Sequence, residues 1–488
     1  MATVLLAVIP FLSTAQSDCD CRSDFAWVKE TFLSNDAGVS YAVGEKGQPS
    51  LDLHTAAIQA AIDTIQDPVA CTQTIYRWLE WFRAGHISIQ RLQAGNANGN
   101  LGIEDPDDIR AHYADAPRVE QPMEEFIASL DPTDDYEGVW NSGSYRIATK
   151  RMGDRYVGAI VSADSIYWTP GQTKLTFVPG DSLAWYMQDH SPRPAGRAAL
   201  LDRDHLLADW VRLDRVDTRE NSASGEPLYL RAAATEVPFV ERLDDETLYF
   251  RIPSFQQQQK RFIDSVILAN YTELHATPNL ILDIHSGTGG SDDAYAQLIP
   301  LLYTNPIRTQ GVEYYATELN NQRMLDFAED KQGWGWDDSF KEWARTSYDT
   351  LQQHLGEFVN LNEERYSVTT FDTVYPYPTR VAVLIDGGNG STDEQFLLAA
   401  KQSQKVKLFG QSTFGVLDIS NMHYIPSPCG DFQLGYSLTR SFRIPHLAID
   451  GVGIQPDYFI GDEVPPWKWV DFVREVWGQD GLPHDREP

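Results

Sequence analysis

Two apolar runs that each end in a glycine-rich loop constrain the fold of this chain more than any other feature. Leu280–His285 leads into Ser286–Gly290, and Val381–Ile385 leads into Asp386–Gly390. Such β-branched runs favour strands, and from about Val237 onward they alternate with helical patterns, which is typical of parallel strands linked by crossover helices. Because ligands bind at the carboxyl ends of parallel strands, we expect both loops to form the floor of one site.

The second loop leads to Ser391, which opens an amphipathic helix and has two interpretations. Ser391 and Glu394 have the spacing of a capping box, in which both side chains only satisfy free backbone donors. A serine at this place is also suited to act as a nucleophile, because the helix dipole and free N–H groups stabilise a developing oxyanion. Capping is the commoner use of this tetrapeptide, so the local pattern alone favours the cap.

In the remainder of the chain, the spacing of apolar residues changes along the sequence. With 488 residues it is too long for a single hydrophobic core. Apolar residues at helical spacing, such as Trp78 and Phe82, occur up to about residue 125, whereas period-two patterns dominate from Tyr136 to about residue 189. The predicted layout is a signal peptide at 1–16, a helical N-terminal domain at 17–125, a β-rich module at 126–235 and an α/β domain bearing the site at 236–488.

The N-terminus carries an apolar leader. Residues 1–15 are mostly apolar and end in Ser-Thr-Ala, as the hydrophobic region and cleavage site of a secretory signal do. We therefore expect an exported protein, periplasmic or extracellular, with a mature chain that begins near Gln16. No other stretch approaches the roughly 20 apolar residues that a membrane span requires.

Four cysteines, at 19, 21, 71 and 429, could form disulfides in an oxidising compartment. We predict at least one, joining Cys71 to Cys19 or Cys21, and spacing does not choose between the two pairings. A metal site is disfavoured, because no second Cys or His pair stands at zinc-site spacing.

The charge of the chain narrows the range of partners. The formal net charge is −31, from 70 acidic and 39 basic side chains, which argues against nucleic acid or an anionic membrane as a partner. No Gly-Lys-Ser/Thr sequence follows the glycine loops, so a nucleotide P-loop is excluded. We predict no cofactor and no metal.

Four short motifs occur in order between Asp283 and Asp457. They are Asp283-Ile-His-Ser-Gly-Thr-Gly-Gly290, Gly388-Asn-Gly-Ser391-Thr-Asp-Glu394, Gly410-Gln-Ser-Thr413-Phe-Gly415 and Gly451-Val-Gly-Ile454-Gln-Pro-Asp457. Together they resemble the motifs of the tail-specific peptidases, a family that includes the tricorn core and a secreted bacterial branch. The resemblance implies a crotonase-like α/β catalytic domain with parallel strands, and a serine peptidase that acts on a peptide or protein substrate.

The resemblance implies Ser391 as nucleophile and directs the search for its base. Tail-specific members place a lysine directly after Thr-x-Gly, where this chain has Val416, so we do not expect a lysine base. Tricorn-like members use a histidine from the N-terminal region, and the Gly-His turn at His86 matches it. An imidazole can accept the serine proton near neutrality. The alternative is that His86 is an ordinary turn or core histidine, and its rival as base is His285, which stands where the family has arginine.

The resemblance also suggests the remaining site residues. Asp450 directly precedes the last motif and could orient the protonated histidine, although Asp-Gly is equally common in turns. The oxyanion donors would be the backbone N–H groups of Gly289, Gly290 and Thr392. Gly287 stands where the family has asparagine, which is a departure from the pattern.

Two functions of different class are compatible with these features. One is an exported serine endopeptidase that forms an acyl-enzyme on Ser391, with the β-rich module in the place where tail-specific members carry a PDZ-type domain. The other is a non-catalytic ligand- or peptide-binding protein on the same fold. Retention of both Ser391 and His86 favours the enzyme.

Overall fold

The computed structural model describes residues 19–92, 106–209, 211–216 and 226–480. The chain divides into two compact units. Unit 1 combines Met1–Ala94 with Thr235–Pro488, and unit 2 is Gly95–Ala234. The predicted signal peptide at 1–16 lies outside the described residues. Within the described ranges no helix is long and apolar enough to cross a membrane, and no group of three His, Cys, Asp or Glu side chains is arranged to hold a metal ion.

The helices are short to medium in length. In chain order they are α1 (Cys21–Asn35), α2 (Val39–Lys46), α3 (Gln48–Ile62), α4 (Pro68–Glu80), α5 (Pro106–His112), α6 (Met123–Ala128), α7 (Leu228–Ala234), α8 (Lys260–Ala269), α9 (Tyr271–Leu274), α10 (Ile299–Leu302), α11 (Glu318–Ala328), α12 (Asp338–Gln352), α13 (Thr392–Ala400) and α14 (Trp469–Asp480). Three turns of 3₁₀ helix add to these, at Gln257–Gln259, Asp292–Tyr295 and Pro466–Lys468.

The strands fall into separate sheets. In chain order they are β1 (Ser88–Arg91), β2 (Gly138–Ser142), β3 (Tyr145–Met152), β4 (Arg155–Ala163), β5 (Thr173–Val178), β6 (Ser182–Tyr186), β7 (Pro192–Ala195), β8 (Ala198–Leu200), β9 (His205–Ala208), β10 (Val211–Arg215), β11 (Phe239–Asp244), β12 (Thr247–Arg251), β13 (Asn279–Asp283), β14 (Ile307–Gln310), β15 (Val312–Tyr315), β16 (Phe358–Val359), β17 (Tyr366–Thr369), β18 (Arg380–Ile385), β19 (Val406–Gly410), β20 (Ile419–Pro426), β21 (Phe432–Ser441) and β22 (Tyr458–Phe459).

The sheet that carries the predicted glycine loops has the order β11-β12-β13-β18-β19-β22. Strand β11 is antiparallel to β12, and the other neighbours run parallel. Every residue of β13 is buried, as expected of a strand covered on both faces. Asp283 pairs with Leu384, and Ile385 pairs with Gly410, so both loops leave the same edge of the sheet. These features agree with the predicted α/β class.

The N-terminal helices pack against a second sheet of unit 1, in which β21 pairs with β1, β15 and β20. Phe25 and Trp78 share a buried cluster with Phe432 and Tyr436, and the rings of Phe25 and Trp78 meet edge to face. The layout predicted from the sequence drew a separate helical domain at 17–125. The structure differs because the strand that buries the aromatic face of these helices comes from the far end of the chain, which helical periodicity cannot reveal.

Two disulfides join distant parts of unit 1. Cys21 pairs with Cys71, which is one of the two pairings that the sequence left open. Cys19 pairs with Cys429, beyond the end of β20, and spacing gave no signal for this bond. The disulfides therefore fix the start of α1 both to α4 and to the β20–β21 hairpin.

Unit 2 is an antiparallel sheet of nine strands in the order β7-β6-β5-β4-β3-β2-β10-β9-β8. Its main core contains Trp140, Ile147, Leu175 and Phe177. Helices α5 and α6 belong to this unit as well, whereas the predicted layout assigned residues up to 125 to the helical domain. The physical reason is that Phe126 of α6 is buried in a smaller cluster with residues of β2, β3 and β4.

Candidate active site

The two glycine loops are bound to each other at the edge of the parallel sheet. Ser286 donates to the Asp386 carboxylate through both its backbone N (2.8 Å) and its Oγ (3.0 Å). The buried side chain of Asn389 donates from Nδ2 to the Ile284 carbonyl (2.7 Å) and to Asp393 Oδ2 (3.0 Å). The loop that follows β18 is therefore fixed by contacts with the loop that follows β13, and it delivers the next residue, the predicted nucleophile, to this edge.

Ser391 occupies the N-cap position of α13 in an unusual backbone conformation. Its φ is 58° and its ψ is −118°, whereas an ordinary N-cap residue lies in the β region. The backbone N–H of Ser391 donates to Glu394 Oε2 (3.3 Å), so the contact expected from the Ser-x-x-Glu pattern is present. A non-glycine residue at positive φ costs free energy, and such strain is concentrated at functional sites. Helix capping alone does not account for this conformation.

Glu394 is a fully buried carboxylate that connects the Ser391 turn to the loop after β19. Its oxygens accept hydrogen bonds from Thr413 Oγ1 (2.5 Å), Gly415 N (2.8 Å) and Val416 N (2.9 Å), in addition to the one from Ser391. Burial raises the pKa of Glu394, and these donors oppose that rise. The sequence analysis predicted only a capping role for Glu394. Its place at the end of the second motif, Gly388–Glu394, was the signal that could have indicated this wider role.

Only some of the predicted oxyanion donors have free N–H groups. The N–H of Gly289 donates to Asp393 Oδ2 (3.2 Å), so it is already committed. The N–H groups of Gly290 and Thr392 have no acceptor among the described residues. A Cβ on Gly289, which has a φ of 75°, would lie 2.9 Å from Ser391 Cβ and 3.2 Å from Thr392 N. The glycine loop therefore approaches the serine as closely as a residue without a side chain allows.

The absence of the family's asparagine at Gly287 has a steric explanation. A Cβ at Gly287 would lie 2.5 Å from Asp393 Oδ2 and 2.9 Å from Asn389 Nδ2. The side chain of Asn389, on the neighbouring loop, already occupies that space. Any side chain at residue 287 would displace the contacts that bind the two loops together.

His86 lies in the turn between α4 and β1, and its ring is anchored at one nitrogen. Its Nδ1 is 2.6 Å from the Ile419 carbonyl oxygen. Because a carbonyl only accepts, Nδ1 carries the proton and Nε2 is left with its lone pair. Burial lowers the pKa of His86 from 6.5 to about 4, with a smaller contribution from the positive charge of Arg83. The ring is therefore neutral at physiological pH and can accept a proton at Nε2.

The side chain of Val416 lies between the backbone next to His86 and the backbone next to Ser391. Its Cγ1 is 2.3 Å from the position of a Cβ on Gly85, and its Cγ2 is 2.7 Å from that of a Cβ on Gly390. One buried valine therefore packs against the residue before His86 and against the residue before Ser391. This valine occupies the sequence position at which tail-specific members carry lysine.

Asp450 contacts the anchor of His86 and not its ring. Its carboxylate accepts hydrogen bonds from the backbone N–H groups of Leu417 (2.6 Å), Asp418 (2.6 Å) and Ile419 (3.1 Å). Asp418 accepts in return from the N–H of Asp450 (2.9 Å). Burial, together with the nearby charge of Asp418, raises the pKa of Asp450 to about 6. Asp450 thus fixes the segment 417–419, which includes the carbonyl that accepts a hydrogen bond from His86 Nδ1.

The rival bases contact other groups. His285 Nδ1 is bonded to Asp283 Oδ1, at the end of β13. Lys401 donates to the Gln455 carbonyl (3.1 Å), Lys405 donates to the Tyr375 carbonyl (2.6 Å), and Lys407 lies 3.6 Å from Asp457. Each of these four side chains therefore has a partner other than Ser391.

A family model matches part of the chain. Residues 246–460 match the sequence model of peptidase family S41. This segment is similar to peptidase family S41, and the chain is a serine-type peptidase. The S41 segment contains all four motifs and Ser391, whereas His86 lies before its start. The resemblance predicted from the motifs is thereby confirmed.

Solved structures extend the similarity beyond the S41 segment. Mature CPAF is 11% identical with a TM-score of 0.51, and the alignment covers 95% of this chain and 98% of that one. CPAF complexed with lactacystin is 11% identical with a TM-score of 0.50, covering 94% and 97%. The tricorn protease is 12% identical with a TM-score of 0.41, covering 94% of this chain and 37% of that one. The likeness to CPAF indicates a shared fold. No curated protein sequence matches significantly.

Proposed function

We propose that this chain is an exported serine endopeptidase that hydrolyses peptide bonds through an acyl-enzyme on Ser391, with His86 as base. The observation that supports the proposal is the position of Val416, whose side chain packs against both Gly85, next to His86, and Gly390, next to Ser391. The strained φ of Ser391 supports it, because a residue that only capped α13 would have no need of that conformation.

Acylation begins when Ser391 Oγ attacks the carbonyl carbon of the scissile bond. The hydroxyl proton passes to His86 Nε2, and the carbonyl oxygen becomes a tetrahedral oxyanion that the N–H groups of Gly290 and Thr392 stabilise. Collapse of the intermediate breaks the C–N bond, and the imidazolium gives its proton to the leaving amine. The acyl group is then held as an ester on Ser391.

Deacylation repeats these steps with water as nucleophile. His86 Nε2 removes a proton from water, the hydroxide attacks the ester carbonyl, and the second tetrahedral intermediate collapses to release a carboxylic acid. The proton returns from His86 to Ser391 Oγ, so the enzyme is regenerated. Asp450 acts on these steps indirectly, because it holds the 417–419 segment against which the His86 ring is oriented.

The substrate is a peptide or protein, and the α/β unit provides a crotonase-like catalytic core. The parallel strands β12, β13, β18 and β19 support this assignment, since the catalytic loops leave their carboxyl ends together. The net charge of −31 makes nucleic acid and anionic membranes poor partners.

Export is supported by the disulfides and by the apolar leader. Bonds such as Cys21–Cys71 and Cys19–Cys429 persist in the periplasm or outside the cell, and rarely in a reducing cytosol. N-terminal sequencing of secreted material should find a mature chain that begins near Gln16. An intact Met1, or four free thiols on titration, would contradict export.

The peptidase proposal is tested with purified protein, an unstructured protein substrate, and the variant Ser391→Gly. The wild type should cleave internal peptide bonds, and the variant should lose turnover by on the order of a million-fold while keeping its melting temperature. Glycine tolerates positive φ, so this substitution removes the nucleophile without adding strain. Ser191→Ala, on an exposed serine of unit 2 that donates to Asp189, is the control and should retain activity. A folded wild type without turnover would leave the ligand-binding alternative.

A further inference from the structure

We infer that Arg83, paired with Asp36, is a positioning residue that fixes the backbone of His86 for catalysis. The inference rests on the proposed function, because it assigns a role to groups around the His86 base. Arg83 and Asp36 are nearly inaccessible, with 10% and 0% of their side chains exposed. Both residues lie outside the four motifs and before the S41 segment.

Arg83 binds the carbonyl on each side of the His86 Cα atom. Its Nε donates to the Gly85 carbonyl (3.0 Å), and its Nη2 donates to the His86 carbonyl (2.8 Å). Ser437 Oγ donates to the same His86 carbonyl (3.1 Å). Fixing both flanking peptides fixes the direction of the Cα–Cβ bond. Together with the Nδ1 contact to the Ile419 carbonyl, this restricts the orientation of the imidazole.

These contacts are needed because His86 has an unfavourable backbone conformation. Its φ is 53°, in the left-handed region that is uncommon for residues other than glycine and costs free energy. The Nδ1 contact with Ile419 fixes the far end of the ring. The base is thus held at three points, two carbonyls and one ring nitrogen, and Arg83 supplies two of them.

Asp36 makes the arginine rigid and offsets its charge. Its Oδ1 and Oδ2 accept from Arg83 Nη1 (2.8 Å) and Nη2 (2.6 Å), a bidentate pair with fixed geometry. Asp36 is fixed in turn by the N–H groups of Gly38 (2.9 Å) and Ser437 (3.0 Å). Arg83 and Asp36 are also the charged groups whose fields act on His86, one opposing and one favouring its protonation. The pair therefore lets the imidazolium form beside a buried arginine.

A lysine cannot replace this arginine. The guanidinium presents five donors in a planar fork, whereas an ammonium on a flexible stem cannot bind both carbonyls and both carboxylate oxygens at once. Arg83→Lys thus keeps the charge and removes the geometry. Displacement of a catalytic group by about 1 Å costs on the order of 100-fold in rate.

The test measures kcat and KM on a peptide substrate for Arg83→Lys and for a control, Arg440→Lys. Arg440 of β21 is also paired with a carboxylate, that of Glu313 on β15. Arg83→Lys should lower kcat by on the order of 100-fold, with KM within about twofold, at a temperature well below both melting points. Arg440→Lys should retain wild-type kcat.

Two further variants keep the test decisive if Arg83→Lys folds poorly. Arg83→Met/Asp36→Leu removes both charges together, so no unpaired charge is left buried. It should fold and show a kcat loss like that of Arg83→Lys. Ser437→Ala removes one donor to the His86 carbonyl and should lower kcat by a smaller factor, about 3- to 10-fold, equivalent to one modest hydrogen bond.

Asp36→Asn gives a readout that a merely structural role would not move. Loss of the carboxylate field should shift the acid limb of kcat/KM to lower pH, since the remaining charge of Arg83 disfavours the imidazolium. Unchanged kcat and pH profiles in the Arg83 and Asp36 variants of an active enzyme would overturn the positioning role alone. A wild type without turnover or labelling of Ser391 would overturn the proposed function, and the positioning role with it.

Discussion

His86 in unit 1 and His190 in unit 2 are alike in almost every local property. Their φ values are 53° and 59°. Each has one ring nitrogen bonded to a backbone carbonyl, Ile419 at 2.6 Å for His86 and Tyr167 at 2.8 Å for His190. Burial lowers the pKa of both. Strain, a carbonyl anchor and a depressed pKa are therefore not sufficient to identify a catalytic histidine.

The difference lies in what each ring meets on its remaining sides. His190 stacks on Tyr113 and packs against Trp168, with ring centroids 4.4 and 4.0 Å apart. His86 instead follows Gly85, whose backbone packs against Val416. A histidine with this backbone conformation and carbonyl contact packs between aromatic rings in unit 2. In our proposal, the corresponding histidine of unit 1 transfers protons.

Replacing each histidine separately would separate these two roles. His86→Ala should lower kcat by about 10⁴- to 10⁶-fold with little change in the melting temperature, because the variant has lost its general base. His190→Ala should retain kcat and lower the melting temperature, because it leaves a cavity between two aromatic rings. Steady-state kinetics and calorimetry measure both. Equal losses of kcat in the two variants would contradict the assignment.

Two buried glutamates extend the comparison. Glu394 accepts four donors at the Ser391 turn, and Glu137 in unit 2 accepts the N–H groups of Asp131 (2.7 Å) and Arg151 (3.0 Å). Each substitution to glutamine leaves a buried N–H poorly paired, at a cost of about 1–3 kcal/mol. Glu394→Gln should also lower kcat by about 10- to 100-fold through displacement of Ser391. Glu137→Gln should lower stability and leave kcat unchanged. A loss of kcat in that variant would contradict the claim that Glu394 affects kcat by positioning Ser391.

The pH dependence of kcat/KM sharpens the argument about His86. Its pKa of about 4 means that the base is lost only as pH falls through about 4. An exposed histidine would be about one-tenth neutral at pH 5.5, so activity there should be roughly tenfold higher than an unperturbed base allows. The profile is measured between pH 3.5 and 8 with a stability control. An acid limb near 6.5 would show that the base is not buried as described.

Unit 2 offers a smaller effect, on stability. Lys174 is buried with its Nζ 4.0 Å from the centroid of Trp168 and 2.7 Å from the Tyr186 carbonyl, and burial lowers its pKa to about 7. The unfolded chain binds this proton up to about pH 10.5, so the group makes the folded state more stable as pH rises from 7 toward 10.5. Lys174→Met should raise the melting temperature at pH 7 by a few degrees and weaken that pH dependence. A lower melting temperature at pH 7 would contradict this.

The parts of the site that were predictable from sequence are those encoded locally. The apolar run, the glycine loop and Ser391 follow one another in the chain, so strand propensity and motif spacing were enough to place the serine. His86 could be predicted only from its Gly-His turn together with the family resemblance. Nothing in local pattern distinguishes it from His190.

The groups that support the site could not be predicted, because they depend on tertiary contacts. The Ile419 carbonyl and the amides bound to Asp450 are backbone groups that any sequence possesses. Arg83 acts through its side chain, but the carbonyls that it binds become its neighbours only in the folded chain. The packing of the N-terminal helices against β21 was not predicted, for the same reason. Periodicity shows which face of a helix is apolar and does not show what covers it.

Labelling by a fluorophosphonate probe examines the proposed nucleophile itself. At pH 7 the folded wild type should be modified at Ser391 alone, as peptide mapping by mass spectrometry would show. The rate should fall as pH drops through about 4, and Ser391→Gly should take up no probe. A folded wild type that remains unlabelled from about pH 5 to 9, or is labelled equally after His86→Ala, would contradict the Ser391–His86 mechanism.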